Sequence, residues 1–319
     1  MMKWLSKVLF ALLINLYFCA FTNAQFNSSE KKFHNKIDDV TTSAQIETLL
    51  KSLNPQFSTF HINDSLNFPD TTCRQVSDSL HCVPWFKADF DNNGYTDLVV
   101  VGGWDNHAIF CILDSGNNRY AVNRLTRKIF QNCTFALLKK INDNNLLLYY
   151  SLNEVKRDSI KVDTLIYKFG DFVDYHSSLK NNNVEKIEFT AHECFGQCPQ
   201  FKLIIDSNRS ATYNAVKYNK QAGEFEGTID KNNFIQLIQL LNYIDFPNLK
   251  NNYAVNWKDD QNCTLKITYD KGKIKTIYDD GMHGSFGLER VYQILFGLRD
   301  NQQWQKILPG EKRTERTSE

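Results

Sequence analysis

The stretch from Asp89 to Asp97 constrains the fold more than any other, because it forms a polar turn that leads directly into a buried strand. Side-chain oxygens occupy positions 1, 3, 5 and 9 of this stretch, and Gly94 occupies position 6. The next residues, Leu98–Val101, are apolar on both faces and mostly β-branched. Such a run is typical of a central strand that is covered on both sides. The sequence therefore predicts a tight loop at the edge of a packed sheet.

The spacing of oxygens in this loop predicts a calcium site. Ca²⁺ takes six to eight hard oxygen ligands, which alternate residues of a tight loop can supply around a glycine turn. An EF-hand would need Glu at position 12, where Val100 stands. The loop instead resembles the D-x-D-x-[DN]-G-x-x-D calcium loops of FG-GAP/VCBS-type repeats, although the motif occurs once and no propeller repeat accompanies it. An Asn/Asp/Gly turn that binds nothing is the alternative. The predicted ligands are Asp89, Asp91, Asn93, Asp97 and the backbone carbonyl of Tyr95.

Residues 1–24 have the layout of a secretory signal peptide. Lys3 and Lys7 precede the apolar run Val8–Phe21, and small residues before Gln25 suit cleavage. An uncleaved anchor is the alternative, but the run is short for a membrane span of about 20 residues. A lipoprotein signal at Cys19 is weaker, because bulky residues precede it. The sequence thus predicts an exported protein, periplasmic or secreted, with no transmembrane segment after cleavage.

Hydrophobic periodicity predicts an α+β protein with two domains, each a mostly antiparallel sheet with one or two packed helices. A capping box at Thr42 predicts a helix, and the period then changes to strands from Phe57–Ile62 onward, with a polar loop over Thr71–His81. Asp230 and Ser285 are predicted to cap two later helices. The expected boundaries are a linker at 25–40, an N-terminal domain at 41–178, a linker at Leu179–Asn183, a C-terminal domain at 184–305 and a disordered tail at 306–319.

The C-terminal half contains a cysteine signature, T-x-x-x-C-x-G-x-C-P, from Thr190 to Pro199, followed by a strand. With the later hairpin and closing helix, it resembles an uncharacterised bacterial domain family of unknown function. The resemblance implies an exported α+β domain of about 120 residues, and it implies no activity.

Seven cysteines remain after Cys19 leaves with the signal, so an exported chain should contain bridges and at least one free thiol. Cys194 and Cys198 are predicted to form a structural disulfide; a redox-active pair, or a zinc site with His192, is the alternative. The remaining expectations are a Cys73–Cys82 bridge, a Cys111–Cys133 pair, and Cys263 as the leftover thiol.

The segment Tyr278–Ser285 brings Asp, His and Ser together in sequence, but adjacency does not make a triad. A Gly-rich turn into the last helix is the simpler interpretation. The chain is near neutral, with 37 basic and 36 acidic residues, which gives no electrostatic reason to expect nucleic acid.

The sequence accordingly predicts an exported, non-catalytic binding or scaffold protein of unidentified ligand with a calcium-stapled loop. The competing hypothesis is an exported enzyme, either a hydrolase using His283 with Asp279 or Asp280, or a thiol oxidoreductase using Cys194 and Cys198.

Overall fold

Three β-sheets follow one another along the chain in a computed structural model, which describes residues 33–62, 65–66, 68–103, 108–127, 133–153, 159–255 and 257–308. The first and second sheets are four-stranded antiparallel meanders, and the third has eight strands in the order β13-β15-β14-β9-β10-β11-β12-β16. The strands are β1 (Trp85–Ala88), β2 (Asp97–Gly102), β3 (Ala108–Asp114), β4 (Tyr120–Arg124), β5 (Thr134–Ile141), β6 (Asn144–Leu152), β7 (Ile160–Lys168), β8 (Asp171–Asp174), β9 (Val184–Ala191), β10 (Gln200–Asp206), β11 (Ser210–Lys217), β12 (Gly223–Thr228), β13 (Asn252–Ala254), β14 (Asn262–Tyr269), β15 (Lys273–Asp280) and β16 (Gln305–Lys306).

Helices begin where side chains cap their free N–H groups. Thr42 and Gln45 form the predicted capping box, Asp230 accepts hydrogen bonds from two backbone N–H groups, and Ser285 accepts one from Leu288. The α-helices are α1 (Lys36–Asp39), α2 (Ser43–Leu53), α3 (Thr71–Ser79), α4 (Lys231–Tyr243) and α5 (Phe286–Asn301), with 3₁₀ turns at Pro55–Phe57 and Phe246–Asn248. None of the helices in the described ranges is long and apolar enough to cross a lipid bilayer.

The first sheet is buried on both faces, as the run Leu98–Val101 predicts. Leu98 and Val100 point to one side, where Ile46 and Leu50 of α2 cover them. Val99 and Val101 point to the other side, into a core shared with the second sheet. Successive side chains of a strand point to opposite faces, so an uninterrupted apolar strand needs two partners. The fold supplies a helix for one face and a sheet for the other.

The second sheet joins the two halves of the molecule. One face packs on the first sheet, while Leu146, Ile166 and Val173 of the other face join the core of the C-terminal region. Phe286, at the start of α5, packs in turn into the core between the first two sheets. In addition, Asp174 accepts a hydrogen bond from the Gly287 N–H (2.9 Å). The two halves are therefore in direct contact.

The third sheet buries one face under α4 and α5 and leaves the other polar. Ile187, Phe189 and Leu265 lie in its core, whereas Glu188 lies on the opposite face among lysines. This mostly antiparallel architecture confirms the predicted α+β class.

Several local expectations are wrong. The segment predicted as strand Phe57–Ile62 contains the end of a 3₁₀ turn and no strand. The polar loop predicted over Thr71–His81 is mostly α3, which buries Cys73 and Ser77. Residues 33–40, expected to be linker, pack on the body through α1 and the fully buried Ile37. The predicted signal peptide at 1–24, the first part of the predicted linker and residues 309–319 of the predicted tail lie outside the described residues.

Candidate functional site

The loop between β1 and β2 brings three of its carboxylates together. Asp89, Asp91 and Asp97 each place one oxygen so that all three lie within 4.8 Å of one another. Asn92 (φ 57°) and Gly94 (φ 86°) adopt left-handed backbone conformations, which curl the loop around these side chains. Among the described residues, this is the one group of three or more acidic, His or Cys side chains with metal-binding proximity.

Backbone N–H groups hold all three carboxylates in place, Asp91 through the N–H of Asn93 (3.3 Å). Asp97 accepts hydrogen bonds from the N–H of Phe90 (2.7 Å) and of Asp114 (2.9 Å), and it is fully buried. Asp89 accepts one from the Gly94 N–H (2.8 Å). The predicted ligands Asp89 and Asp97 are therefore held by backbone N–H groups of the loop itself and of Asp114, the last residue of β3.

Burial and mutual repulsion raise the pKa values within this cluster. Burial is the largest cause of the rise in the pKa of Asp97 to about 7, and the charges of Asp91 and Asp89 add to it. Burial, followed by the charge of Asp89, raises the pKa of Asp91 to about 6. Carboxylates this close favour either a proton or a cation between them.

The other two predicted ligands, Asn93 and Tyr95, lie in the same loop and contact both the loop and neighbouring segments. The Asn93 side-chain oxygen accepts the Tyr95 N–H (2.7 Å), and its amide group donates to Asp91 (3.0 Å) and to the Asp114 carbonyl (2.7 Å). The Tyr95 ring stacks on Phe33, with 4.9 Å between ring centroids. Asn93 and Tyr95 therefore brace the loop in this structure.

Two distant segments meet at the loop, and sequence reasoning did not identify them. The Phe33 N–H donates to the Gly94 carbonyl (2.8 Å), and the Asn35 side chain donates to the Thr96 carbonyl (2.7 Å). From the hairpin of the second sheet, the Asn145 side chain donates to the Asp89 carbonyl (2.6 Å). We call residues 33–40 the N-terminal strap. No local pattern in the sequence indicates these contacts, because they join residues up to 61 positions apart.

The disulfide pattern corrects one prediction and confirms another. Cys73 is bonded to Cys133, not to Cys82. Cys73 lies in the first turn of α3 and is buried in the same core cluster as Cys133, whereas Cys82 lies beyond the end of the helix. Cys194 and Cys198 are bonded as predicted. Their sulfurs are thus engaged with each other, and His192 lies 3.0 Å from the Thr264 hydroxyl.

Among the described residues three cysteines are free: Cys82, Cys111 and Cys263. The predicted Cys111–Cys133 pair is therefore wrong, and Cys263 is not the single leftover thiol. Burial, with the nearby Asp78, raises the pKa of Cys82 to about 11. Burial also raises the pKa of the other two. All three thiols are accordingly poor nucleophiles at neutral pH.

Hydrogen bonds within the turn at Tyr278–Ser285 and to α5 hold this segment in place. Asp279 is fully buried and accepts hydrogen bonds from the Tyr292 hydroxyl (3.0 Å) and the Gly284 N–H (2.9 Å). Burial raises its pKa. Ser285 caps α5 as predicted. Asp280 lies at the end of β15, and the His283 ring has its Nδ1 atom 4.0 Å from a Glu289 carboxylate oxygen.

His283 nevertheless lines a cleft of about 730 Å³ between the second sheet and the C-terminal region. This volume is within the range of small-molecule sites. The cleft is lined by Arg127, Tyr149, Ser151, Leu152, Asn153, Lys161, Asp163, Asp174, Lys250, Asn252, Tyr253, Ala254, His283, Gly284, Ser285 and Phe286.

Fold and sites together define an α+β protein with a carboxylate loop in its N-terminal half and a disulfide-closed loop in its C-terminal half. Residues 185–299 match the family model described as Domain of unknown function (DUF6438). This match confirms that the C-terminal half resembles an uncharacterised domain family. No curated protein and no solved structure is detectably similar to the chain.

Proposed function

We propose that this chain is an exported, non-catalytic binding or scaffold protein in which Ca²⁺ staples the loop between β1 and β2. The observation that carries the calcium proposal is the convergence of Asp89, Asp91 and Asp97 within 4.8 Å. Three carboxylates at this separation repel one another unless a cation or protons lie among them.

The donor set fits a hard cation. Asp89, Asp91 and Asp97 would hold the ion, and the Asn93 side-chain oxygen and Tyr95 carbonyl are the further oxygens of the motif. Oxygen-only donors favour Ca²⁺ over softer metals. The ion would neutralise the charges that raise the pKa values of Asp91 and Asp97.

Stapling this loop would act beyond the loop itself. The N-terminal strap and the hairpin bearing Asn145 both bond to loop carbonyls. An ion that fixes the loop would therefore also fix the anchor points of these two segments. This is the action of a structural site, in which metal binding contributes to folding stability.

Export is supported by the pattern at residues 1–24 and by the cysteines. The structure contains two disulfides, and disulfides persist mainly in oxidising compartments. Extracellular and periplasmic calcium would then be the supply for the loop.

The contacts of the candidate catalytic groups support a non-catalytic role. Asp279 bonds to the Tyr292 hydroxyl and to the backbone of the turn, and the Ser285 hydroxyl caps α5. Both side chains thus hold the turn and the start of α5 in place. Cys194 and Cys198 are joined to each other.

The test is a thermal melt of the chain lacking residues 1–24, in millimolar calcium and in chelator. Selective binding to the folded state at a hundredfold excess over Kd stabilises it by about 2.7 kcal/mol, which should raise Tm by several degrees. Asp89→Ala should abolish the rise, and Asp206→Ala, on an exposed residue of β10, should preserve it. Equal midpoints for the unsubstituted chain in calcium and chelator would show that the loop is only a turn.

A further inference from the structure

The cleft between the second sheet and the start of α5 is separate from the calcium loop, and its lining has a distinct chemistry. We infer that it binds a neutral, hydroxyl-rich ligand, chemically a saccharide. This inference rests on the proposed binding function and names the class of ligand.

The C-terminal wall of the cleft is pre-formed. Asp279 accepts hydrogen bonds from the backbone N–H groups of His283 (3.2 Å) and Gly284 (2.9 Å), which fixes the turn. The Tyr253 hydroxyl accepts the Lys250 N–H (3.2 Å). A Cβ added at Gly284 would lie 3.1 Å from the Tyr253 ring, so turn and ring are in close contact. Because this side of the cleft is already ordered, binding a ligand costs little free energy for ordering the protein.

The charges of the cleft are balanced, which disfavours a strongly charged ligand. Arg127 pairs with Glu289 just behind the wall, and the Lys161 ammonium lies 2.9 Å from the Asp163 carboxylate. The two other charged side chains of the lining, Lys250 and Asp174, have opposite signs. A phosphate or a polycation would find no net opposite charge to replace its hydration.

The mixture of donors and acceptors suits hydroxyl groups. A carboxylate such as Asp163 only accepts hydrogen bonds and an ammonium such as Lys161 only donates them, whereas a hydroxyl does both. Hydrogen bonds from hydroxyls to ionised groups are short and strong. Vicinal hydroxyls can therefore bridge the paired charges of the second sheet, while the half-buried Tyr253 ring offers an apolar surface to the C–H face of a sugar ring.

A peptide would satisfy the same donors and acceptors through its backbone, but the lining offers little to its side chains. Leu152 and Ala254 are the aliphatic residues among the described lining of the cleft, and the lining rings of Tyr149 and Phe286 are almost completely buried. Peptide recognition relies on exposed sheet edges or on apolar pockets for alternate side chains. The composition of the cleft thus favours a saccharide.

The test is isothermal titration calorimetry of the full chain lacking residues 1–24, at millimolar concentrations of maltotriose, cellotriose and triacetylchitotriose, with trialanine and citrate for comparison. At least one trisaccharide should bind. Tyr253→Ala and Asp163→Asn should each weaken its binding on the order of tenfold, which is about 1.4 kcal/mol. Asp206→Asn should leave it unchanged, and the Tm of each variant checks that it is folded.

Lack of binding by all three trisaccharides, preference for trialanine or citrate, or unchanged affinity in folded Tyr253 and Asp163 variants would each overturn the inference. Titrations in calcium and in chelator separate the two proposals. Trisaccharide binding without any effect of calcium on Tm would reject the calcium site alone. A calcium-dependent Tm without trisaccharide binding would reject the saccharide cleft alone.

Discussion

Two glycine-containing loops, each between adjacent strands, are closed by different chemistry. The loop from Asp89 to Asp97 joins β1 and β2 and gathers carboxylates, whereas the loop from Cys194 to Cys198 joins β9 and β10 and is closed by a covalent bond. In both, a glycine has a positive φ, 86° at Gly94 and 152° at Gly196. In both loops a glycine thus allows the backbone to turn sharply. The side chains that close the two loops are different.

A loop closed by carboxylates can respond to pH and to the concentration of cations, whereas a loop closed by a disulfide responds only to a reductant. The carboxylate loop also serves as an anchor, since Phe33 and Asn145 bond to its carbonyls. The disulfide loop has Phe195 at its tip with 86% of its surface exposed. The disulfide therefore stabilises a single loop, whereas the carboxylate loop lies where the N-terminal strap and the second sheet meet the first sheet.

The largest loss of stability should come from removing the disulfide between Cys73 and Cys133. Its partners are 60 residues apart, so replacing both with Ser should lower the free energy of unfolding by about 4 kcal/mol through the entropy of the unfolded chain. The same change at Cys194 and Cys198, which are 4 residues apart, should cost about 2 kcal/mol. Guanidinium unfolding measures both. Equal losses would contradict the assigned pairing, as would finding one reactive thiol instead of three in the unfolded, unreduced chain.

A slightly smaller loss is expected from Asp97→Ala. This change leaves the buried N–H groups of Phe90 and Asp114 without their acceptor, which should cost about 3 kcal/mol even in chelator. It should also remove the response of Tm to calcium. Urea unfolding in chelator measures the first effect, and Asp206→Ala, an exposed carboxylate, should change stability by less than about 0.5 kcal/mol. Retention of the calcium response would exclude Asp97 as a ligand.

The pH dependence of stability tests the carboxylate loop without any substitution. The pKa values of Asp91 (about 6) and Asp97 (about 7) lie above their ordinary value of 3.8, so in chelator the stability that they contribute is present below pH 3.8 and is lost as pH rises through 6 to 7. Calcium favours the ionised forms. The rise in Tm caused by calcium should therefore be larger at pH 8 than at pH 5, by about twofold or more. In Asp97→Asn this dependence should weaken, and a rise independent of pH would contradict a carboxylate site.

The smallest effect should come from the N-terminal strap. Phe33→Ala removes the stacking contact with Tyr95 and should cost about 1 kcal/mol. The strap should also become more accessible to protease in calcium, as mass spectrometry of the cleavage products would reveal. Val83→Ala is a control of similar exposure, 47% against 45% for Phe33, with an expected change under about 0.5 kcal/mol. Equal losses in the two variants would mean that the stacking of Phe33 on Tyr95 does not help to anchor the strap.

Several features follow from the sequence alone because their causes are local. The capping residues Thr42, Asp230 and Ser285 satisfy N–H groups within three residues of themselves. The apolar run of Leu98–Val101 needs cover on both faces wherever it is placed. Cys194 and Cys198 are close in any tight turn, and the oxygen spacing of Asp89–Asp97 is a property of one loop.

Only the tertiary structure decides the features that join distant residues. Thr71–Ser79 is polar enough to be a loop, and the pairing of its Cys73 with Cys133, 60 residues away, is not indicated by any local pattern. The contacts of Phe33 and Asn145 with the carboxylate loop, and the cleft between Lys161 and Tyr253, likewise depend on how the sheets stack. Sequence patterns record which residues must be buried or capped, but choosing among distant partners depends on the packing of the whole chain.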